Sequence, residues 1–218
     1  MKVLVVGATG GSGRAAVQAL LAAGHEVTAF ARRPELLPGG GERLALCRGD
    51  VMDSADLERA MAGQQAVVVT LGIAENPWRV RLFGSRGTPL DVRSAGTYRL
   101  VECMRRHQVR RLVVQTSYGV GETRERLPAL YRLMFQLLLK PQVADTERQE
   151  RVVRDSGLDW VLAQPVNLTD ADDPAAAVLA SPQGAVRSMR VSRRQVGRFL
   201  AEAVQAPQWV GCSVALSG

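Results

Sequence analysis

Gly7-Ala8-Thr9-Gly10-Gly11-Ser12-Gly13 follows a short apolar run, Val3-Leu4-Val5-Val6, and opens a segment from Arg14 to Gly24 in which Val17, Leu20 and Leu21 recur at helical spacing. The pattern reads as strand, glycine turn, helix. Glycines at 7, 10 and 13 let the backbone turn tightly and let a ligand approach without a Cβ in the way. The first N–H groups of the new helix and its dipole then face a phosphate. Glycine also ends strands for purely structural reasons, so the motif takes its weight from lying between a buried-type strand and a helix. That context predicts a pyrophosphate cradle in an α/β fold, a Rossmann-type doubly wound parallel sheet with helices on both faces.

The rest of the chain alternates in the same way. Glu26 to Ala31 reads as a second strand, ending in Arg32-Arg33. A carboxylate at that point would bind the 2′-hydroxyl of NAD, whereas an arginine pairs with the 2′-phosphate of NADP; two surface arginines are the alternative. Arg43 to Arg48 alternates as a third strand and runs into Gly49-Asp50-Val51-Met52-Asp53, which puts Asp50 and Val51 at its carboxyl end. Ser54 is the expected cap of a helix from Ala55 to Ala62. Ala66 to Leu71 is nearly continuous and apolar, a central strand followed by Gly72. Residues 73–89 are irregular and hold Trp78 and Phe83; they read equally as a flap over a pocket or as a surface loop.

Pro89 starts a helix whose Val92, Gly96, Leu100, Cys103 and Met104 form one stripe, with His107 at its end expected to pack or meet terminal carbonyls. Arg111 to Thr116 is a fifth strand, and Thr116, Ser117 and Tyr118 bring hydroxyls to its end. Residues 127–139 are an apolar helical stretch, either a pocket wall, a subunit interface or ordinary core; Pro141 is expected to break it. In the next helix, Gln142 to Ser156, Glu150 is either an inward-pointing functional acid or an ion-pair partner of nearby arginines. Asp159 to Ala163 gives a sixth strand before Gln164-Pro165. Residues 166–185 look like a polar loop, Arg187 to Val191 a short strand, Ser192 a cap for a helix to Val204, and Trp209 to Ala215 a last strand.

The 218 residues suit a single NAD(P)-binding domain, 1–218, in which 166–218 forms a C-terminal, substrate-side elaboration. The net charge of +7 is nearly all arginine, spread singly or in pairs over many elements. A nucleic acid, a phosphate-rich cofactor and an anionic substrate all ask for this sign of field, so the arginines decide little alone; with no basic run and few aromatics to stack bases, nucleic acid is not expected. Cys47, Cys103 and Cys212 are odd in number and far apart, which suits neither a disulfide framework nor a metal site. No apolar run reaches the roughly 18 residues of a membrane span, and Met1-Lys2 leads straight into the first strand. A cytoplasmic protein, monomer or homodimer, with a small-molecule substrate is expected.

Four pieces together resemble the atypical short-chain dehydrogenase/reductase superfamily: Gly7 to Gly13 with Arg32, Gly49 to Asp53, Gln115-Thr116-Ser117, and Ser156-Gly157-Leu158-Asp159-Trp160 followed by Gln164-Pro165. Within it the chain is similar to the NAD(P)H-binding group of flavin reductase/biliverdin-IX-beta reductase and nitrogen-metabolite-repressor-like proteins. The resemblance implies that Gly7, Thr9, Gly10, Gly11, Ser12 and Gly13 hold the pyrophosphate of NADP(H) and that Arg32 and Arg33 meet the 2′-phosphate. It further implies Asp50 and Val51 beside the adenine, Leu71 and Gly72 along the ribose, and Thr116, Ser117 and Pro165 toward the nicotinamide.

Two departures bear on chemistry. The Tyr-x-x-x-Lys pair of the superfamily is absent, because neither Lys2 nor Lys140 lies four residues after a tyrosine, and Gln164 replaces the arginine common before the proline. Carbonyl reduction, which uses that pair for the proton, is disfavoured. Hydride transfer to a conjugated flavin, tetrapyrrole or quinone needs less help, with Ser117, Tyr118 and Glu150 as candidate catalytic residues. The alternatives are a non-catalytic NADP(H)-binding redox regulator and a secondary-metabolism tailoring oxidoreductase or isomerase.

Overall fold

In chain order the elements are β1 (Lys2–Val6), α1 (Gly11–Ala22), β2 (Glu26–Ala31), β3 (Leu44–Arg48), α2 (Ser54–Met61), β4 (Ala66–Val69), α3 (Val92–Arg106), β5 (Arg111–Gln115), α4 (Lys140–Arg154) and β6 (Asp159–Pro165). They continue with β7 (Asn167–Thr169), β8 (Leu179–Ser181), β9 (Arg190–Ser192), α5 (Arg193–Ala203) and β10 (Cys212–Ser217). The structure, a computed structural model, describes residues 1–38, 41–72, 87–127, 140–171 and 177–218. The expected flap or loop at 73–89 lies outside these residues except for 87–89, and the apolar stretch 127–139 lies outside except for Leu127.

The main sheet has the order β3-β2-β1-β4-β5-β6-β10-β8, parallel throughout except for the β10–β8 pair. Order reverses between β1 and β4, so the carboxyl ends of these two strands open the crevice where doubly wound sheets bind ligands. Alternation along each strand divides the core. Val3, Val5, Ala29, Val68 and Val113 face α1 and α5, where Val17, Leu20, Phe199 and Leu200 cover them. Leu4, Val6, Phe30, Val69 and Leu112 face the other way, under Leu57 and Met61 of α2 and Leu100 and Met104 of α3. Burial on both faces is why these strands read as unbroken valine and leucine. The fold is thus the expected Rossmann-type α/β sheet.

Several local expectations are corrected. The cap of α2 is Asp53, whose side chain accepts from the N–H groups of Ala55 at 2.8 Å and Asp56 at 3.3 Å, while Ser54 is the first helical residue. Pro141 lies in α4, whose described residues begin at Lys140, and the apolar stretch it is expected to break lies outside the described residues. The stretch 166–185 contains β7 and β8 rather than loop alone. Residues 166–218 also supply α5 and β10 to the main layers: Gly197 of α5 packs so closely on α1 that a Cβ there would stand 2.5 Å from the Ala15 carbonyl oxygen. Ser192 caps α5 as expected, in a reciprocal box with Gln195. Among the described residues no helix is long and apolar enough to cross a membrane.

Candidate functional site

The β1–α1 turn is built from backbone. Gly7 has φ +84°, and a Cβ on it would lie 2.8 Å from the Thr70 carbonyl oxygen at the end of β4; one on Gly13 would lie 2.2 Å from the Gly7 oxygen. Both positions demand glycine for packing. The turn is latched on two sides: Gly7 N–H donates to the Phe30 carbonyl at 3.1 Å, and the Thr70 hydroxyl lies 3.1 Å from the Val6 carbonyl and 3.3 Å from that of Gly7.

Gly10 is different. The nearest atom to a Cβ there is the Gly7 oxygen at an ordinary 3.5 Å, so nothing among the described residues excludes a methyl group. Gly10 caps α1 with no side-chain hydrogen bond, no acidic residue stands in the first turn, and the first helical bond runs from Arg14 N–H to the Gly10 carbonyl at 2.8 Å. The N–H groups of Gly11, Ser12 and Gly13 therefore have no acceptor within the helix. Three open donors at a helix N-terminus, beside a glycine that only a guest requires, fit a pyrophosphate. Gly11 owes its small size to a neighbour, since the Arg193 Nε would be 2.7 Å from its Cβ. A cavity of about 240 Å³ beside Gly11 is lined by Arg14, Thr169, Asp170 and Arg193, and Arg193 pairs with Asp170 at 2.7 Å.

At the end of β2, Arg32 and Arg33 are both exposed. Arg32 donates to the Gly87 carbonyl and, at 3.0 Å, to the Thr88 hydroxyl. After β3, Asp50 is half-buried and its carboxylate accepts from Met52 N–H at 2.9 Å, while its own N–H donates to Asp56 at 2.8 Å. That backbone bond and Arg59 hold the Asp56 carboxyl below the usual range. Val51 and Leu71 meet over Gly96 of α3, where a Cβ would come within 3.0 Å of Val51 and 3.2 Å of Leu71. They form an apolar wall between the ends of β3 and β4, with Gly72 exposed beside it.

At the far end of the crevice, at β5 and β6, most polar groups bond within the fold, with Gln115 Oε1 and Arg154 Nε as exceptions. Glu150 has no exposed surface; its oxygens accept from the Thr116 hydroxyl at 2.8 Å, Gln164 Nε2 at 2.8 Å and Arg154 at 3.0 Å. Gln164 thus serves this carboxylate. Tyr118 is 3% exposed, its hydroxyl donates to the Gly184 carbonyl at 3.3 Å, its N–H binds the Pro165 carbonyl at 2.9 Å, and burial pushes its phenol up. Tyr118 and Glu150, the expected proton donors, both bond within the fold, as does the Thr116 hydroxyl. Ser117 remains half-buried, its hydroxyl 3.2 Å from the Tyr118 carbonyl.

His107 meets a carboxylate rather than terminal carbonyls, with Nε2 2.6 Å from Glu58. The hydrogen bonds from His107 and Arg106 hold the Glu58 carboxyl low. Glu58, Cys103 and His107 bring ligand-type atoms within 4.8 Å of one another. Arg106 on the same carboxylate works against a cation there, as does burial, which pushes the Cys103 thiol up to about 11.

Two residues escaped the sequence reading. Asp145, fully buried on α4, caps α3 from outside by accepting from the N–H groups of Arg93 at 3.1 Å and Ser94 at 3.2 Å and from the Ser94 hydroxyl at 2.5 Å. Arg93 stands beside Gly72. Its signal in the sequence is a cation in the first turn of a helix, where the dipole disfavours it.

The switch-point crevice and the open cradle on α1 define a dinucleotide-binding α/β protein of the Rossmann type. A sequence profile described as NAD(P)H-binding matches residues 7–207, and the chain belongs to that family. Membership agrees with the resemblance drawn from the motifs. An uncharacterized chloroplastic protein of Arabidopsis thaliana is 27% identical over 217 residues, covering 93% of this chain and 71% of that protein. Two further curated relatives are 35% identical over 120 and 126 residues, and the chain spans 35% and 34% of their lengths. A short-chain dehydrogenase/reductase of Veillonella parvula in complex with NADP superposes with a TM-score of 0.80 at 18% identity, over 100% of this chain and 94% of that one. ChuY, an anaerobilin reductase from Escherichia coli O157:H7, does so with a TM-score of 0.75 at 18% identity, over 100% and 97%. At these identities the likeness is one of fold.

Proposed function

We propose that the protein is an NADPH-dependent reductase that delivers a hydride to a conjugated small-molecule acceptor of flavin, tetrapyrrole or quinone type. The observation that carries the reading is the pairing of three open N–H donors at Gly11, Ser12 and Gly13 with Arg32 and Arg33 at the end of β2. In it, the α1 N-terminus holds the pyrophosphate, the two arginines select the 2′-phosphate, and Val51 and Leu71 shelter the adenine side. When bound, the reduced nicotinamide supplies the hydride. Ser117 and Pro165 orient the reacting end, and a conjugated acceptor delocalises the incoming charge so that solvent can furnish the proton. The anaerobilin reductase among the structural neighbours is in keeping with such an acceptor.

A non-catalytic NADP(H)-binding regulator is the second reading, favoured by the burial of Tyr118 and Glu150. Titration with NADPH and NADH, followed by oxidation of the bound cofactor with FMN, a quinone and biliverdin, separates the two. NADPH preference with turnover supports the reductase, binding without turnover on any acceptor supports the regulator, and binding of neither cofactor removes both. Arg32→Ala is expected to weaken NADPH about tenfold or more, the loss of a charge-assisted pair, and to leave NADH within about twofold. Equal losses for both cofactors would take Arg32 off the 2′-phosphate.

A further inference from the structure

Arg93 is a cation in an unfavourable place. It occupies the first turn of α3, next to the positive end of the helix dipole, and its Nη1 is buried without a hydrogen-bond partner. Asp145, the carboxylate nearest in charge, is committed to the backbone of Arg93 and Ser94, to the Ser94 hydroxyl and, at 3.7 Å, to Arg148. Burial pushes the Arg93 guanidinium below the usual arginine range, with the Asp145 charge opposing. A half-buried guanidinium with an unpartnered Nη1 is costly, and a bound anion is one way such a group is completed. Its Nη2 lies 3.5 Å from where a Gly72 Cβ would stand, at the carboxyl end of β4 and hence at the switch-point crevice.

We propose that Arg93 is the receptor for an anionic substituent of the acceptor, a carboxylate or phosphate, so that the conjugated substrate is an anion. This rests on the reductase reading, in which the anionic groups of NADPH already have receptors in the α1 turn and in Arg32 and Arg33. The guanidinium fork suits the two oxygens of either group, and, among the described residues, no Cβ at Gly72 stands in front of Nη2. A neutral quinone gains nothing from it.

The test uses matched pairs that differ only in the anion: FMN against riboflavin, and biliverdin against its dimethyl ester. Binding of each to the NADP⁺-loaded protein is followed by fluorescence quenching or absorbance, with NADPH affinity measured separately. The expected result is that the anionic member of at least one pair binds about tenfold or more tighter, the ratio for a charged hydrogen bond. Arg93→Gln should bring that ratio close to one with NADPH affinity kept within about threefold, and Arg93→Lys, which keeps the charge but loses the fork, should fall between. Wild-type protein that does not discriminate within either pair overturns the inference, as does an unchanged ratio in Arg93→Gln. If Arg93→Gln instead weakens NADPH tenfold, the anion belongs to the cofactor and the inference fails. Failure of the wild type to bind NADPH at all is a separate result, which sinks the reductase reading itself.

Discussion

The two ends of the crevice use their polar groups in opposite ways. At the β1–α1 turn the N–H groups of Gly11, Ser12 and Gly13 have no acceptor within the helix and no side-chain cap, so a bound anion meets donors that need no rearrangement. Across the sheet, at the ends of β5 and β6, the Thr116 hydroxyl, the Gln164 amide, the Tyr118 hydroxyl and both Glu150 oxygens are bonded to one another, to Arg154 or to backbone. One end is left open for a guest, and the other is closed into the fold. The difference accords with the proposed reductase, in which backbone geometry holds the cofactor and the acceptor needs orientation more than acid catalysis.

The harshest way to test the closed end is Glu150→Ala. Removing a fully buried carboxylate takes the acceptor from Thr116 and one acceptor each from Arg154 and Gln164, which keep Ser213 Oγ and the Val120 carbonyl, and the loss of one partner from a buried pair costs about 3–5 kcal/mol. Urea denaturation should show a lower midpoint at an unchanged slope. Glu150→Gln keeps the shape and an acceptor oxygen, and should lose less. If Glu150→Gln retained stability and NADPH affinity yet abolished turnover, the carboxylate would be a proton donor after all and the contrast between the two ends would collapse.

Gly10→Ala sharpens the contrast from the open side. The backbone there has φ −69°, which alanine adopts freely, and a Cβ has 3.5 Å to its nearest neighbour. Stability should stay within about 1 kcal/mol of wild type, with a gain as credible as a loss because alanine stiffens the unfolded chain. NADPH affinity should nonetheless fall on the order of tenfold, as the methyl group stands where the pyrophosphate approaches the helix N-terminus. Gly13→Ala, with its Cβ 2.2 Å from the Gly7 oxygen, should lose stability as well as binding. Unaltered NADPH binding in Gly10→Ala would place the pyrophosphate elsewhere.

The open end was legible in the sequence and the closed end was not, for a physical reason. A glycine turn between an apolar run and a helical stripe is local information, and Gly7 and Gly13 meet atoms only a few residues away or on the adjacent β4. The strands were equally readable, because Val3 to Val6 and Ala66 to Val69 are buried on both faces and carry no polar residue. The i,i+4 pair of Glu150 with Arg154 follows a helix spacing rule, but its bond to Thr116, 34 residues away, and the Asp145 bonds to Arg93 and Ser94 follow none. Asp145 is the clearest case: the cap of α3 comes from α4, while Asp91, the residue in cap position, makes no side-chain bond. The short β7 and β8 were missed because three-residue strands in a polar stretch have too little periodicity to register.

The gentlest test is Tyr118→Phe. It removes one hydroxyl donated to the Gly184 carbonyl at 3.3 Å and leaves that oxygen without this partner, for a loss of about 0.5–1.5 kcal/mol. The loss should depend on pH. Burial holds the Tyr118 phenol above its ordinary value, so as pH rises past about 10 the unfolded chain gives up this proton first while the native one keeps it. Above that point the native state binds more protons than the unfolded, and stability falls with rising pH until the native phenol also ionises. The stabilisation from Tyr118 is therefore fully present below about pH 10 and is lost above it. Denaturation midpoints measured from pH 8 to 11 should fall less steeply for Tyr118→Phe than for wild type. Turnover at neutral pH should be reduced no more than stability and cofactor binding account for. A collapse of turnover at constant stability would make Tyr118 a proton donor and reopen the closed end of the crevice.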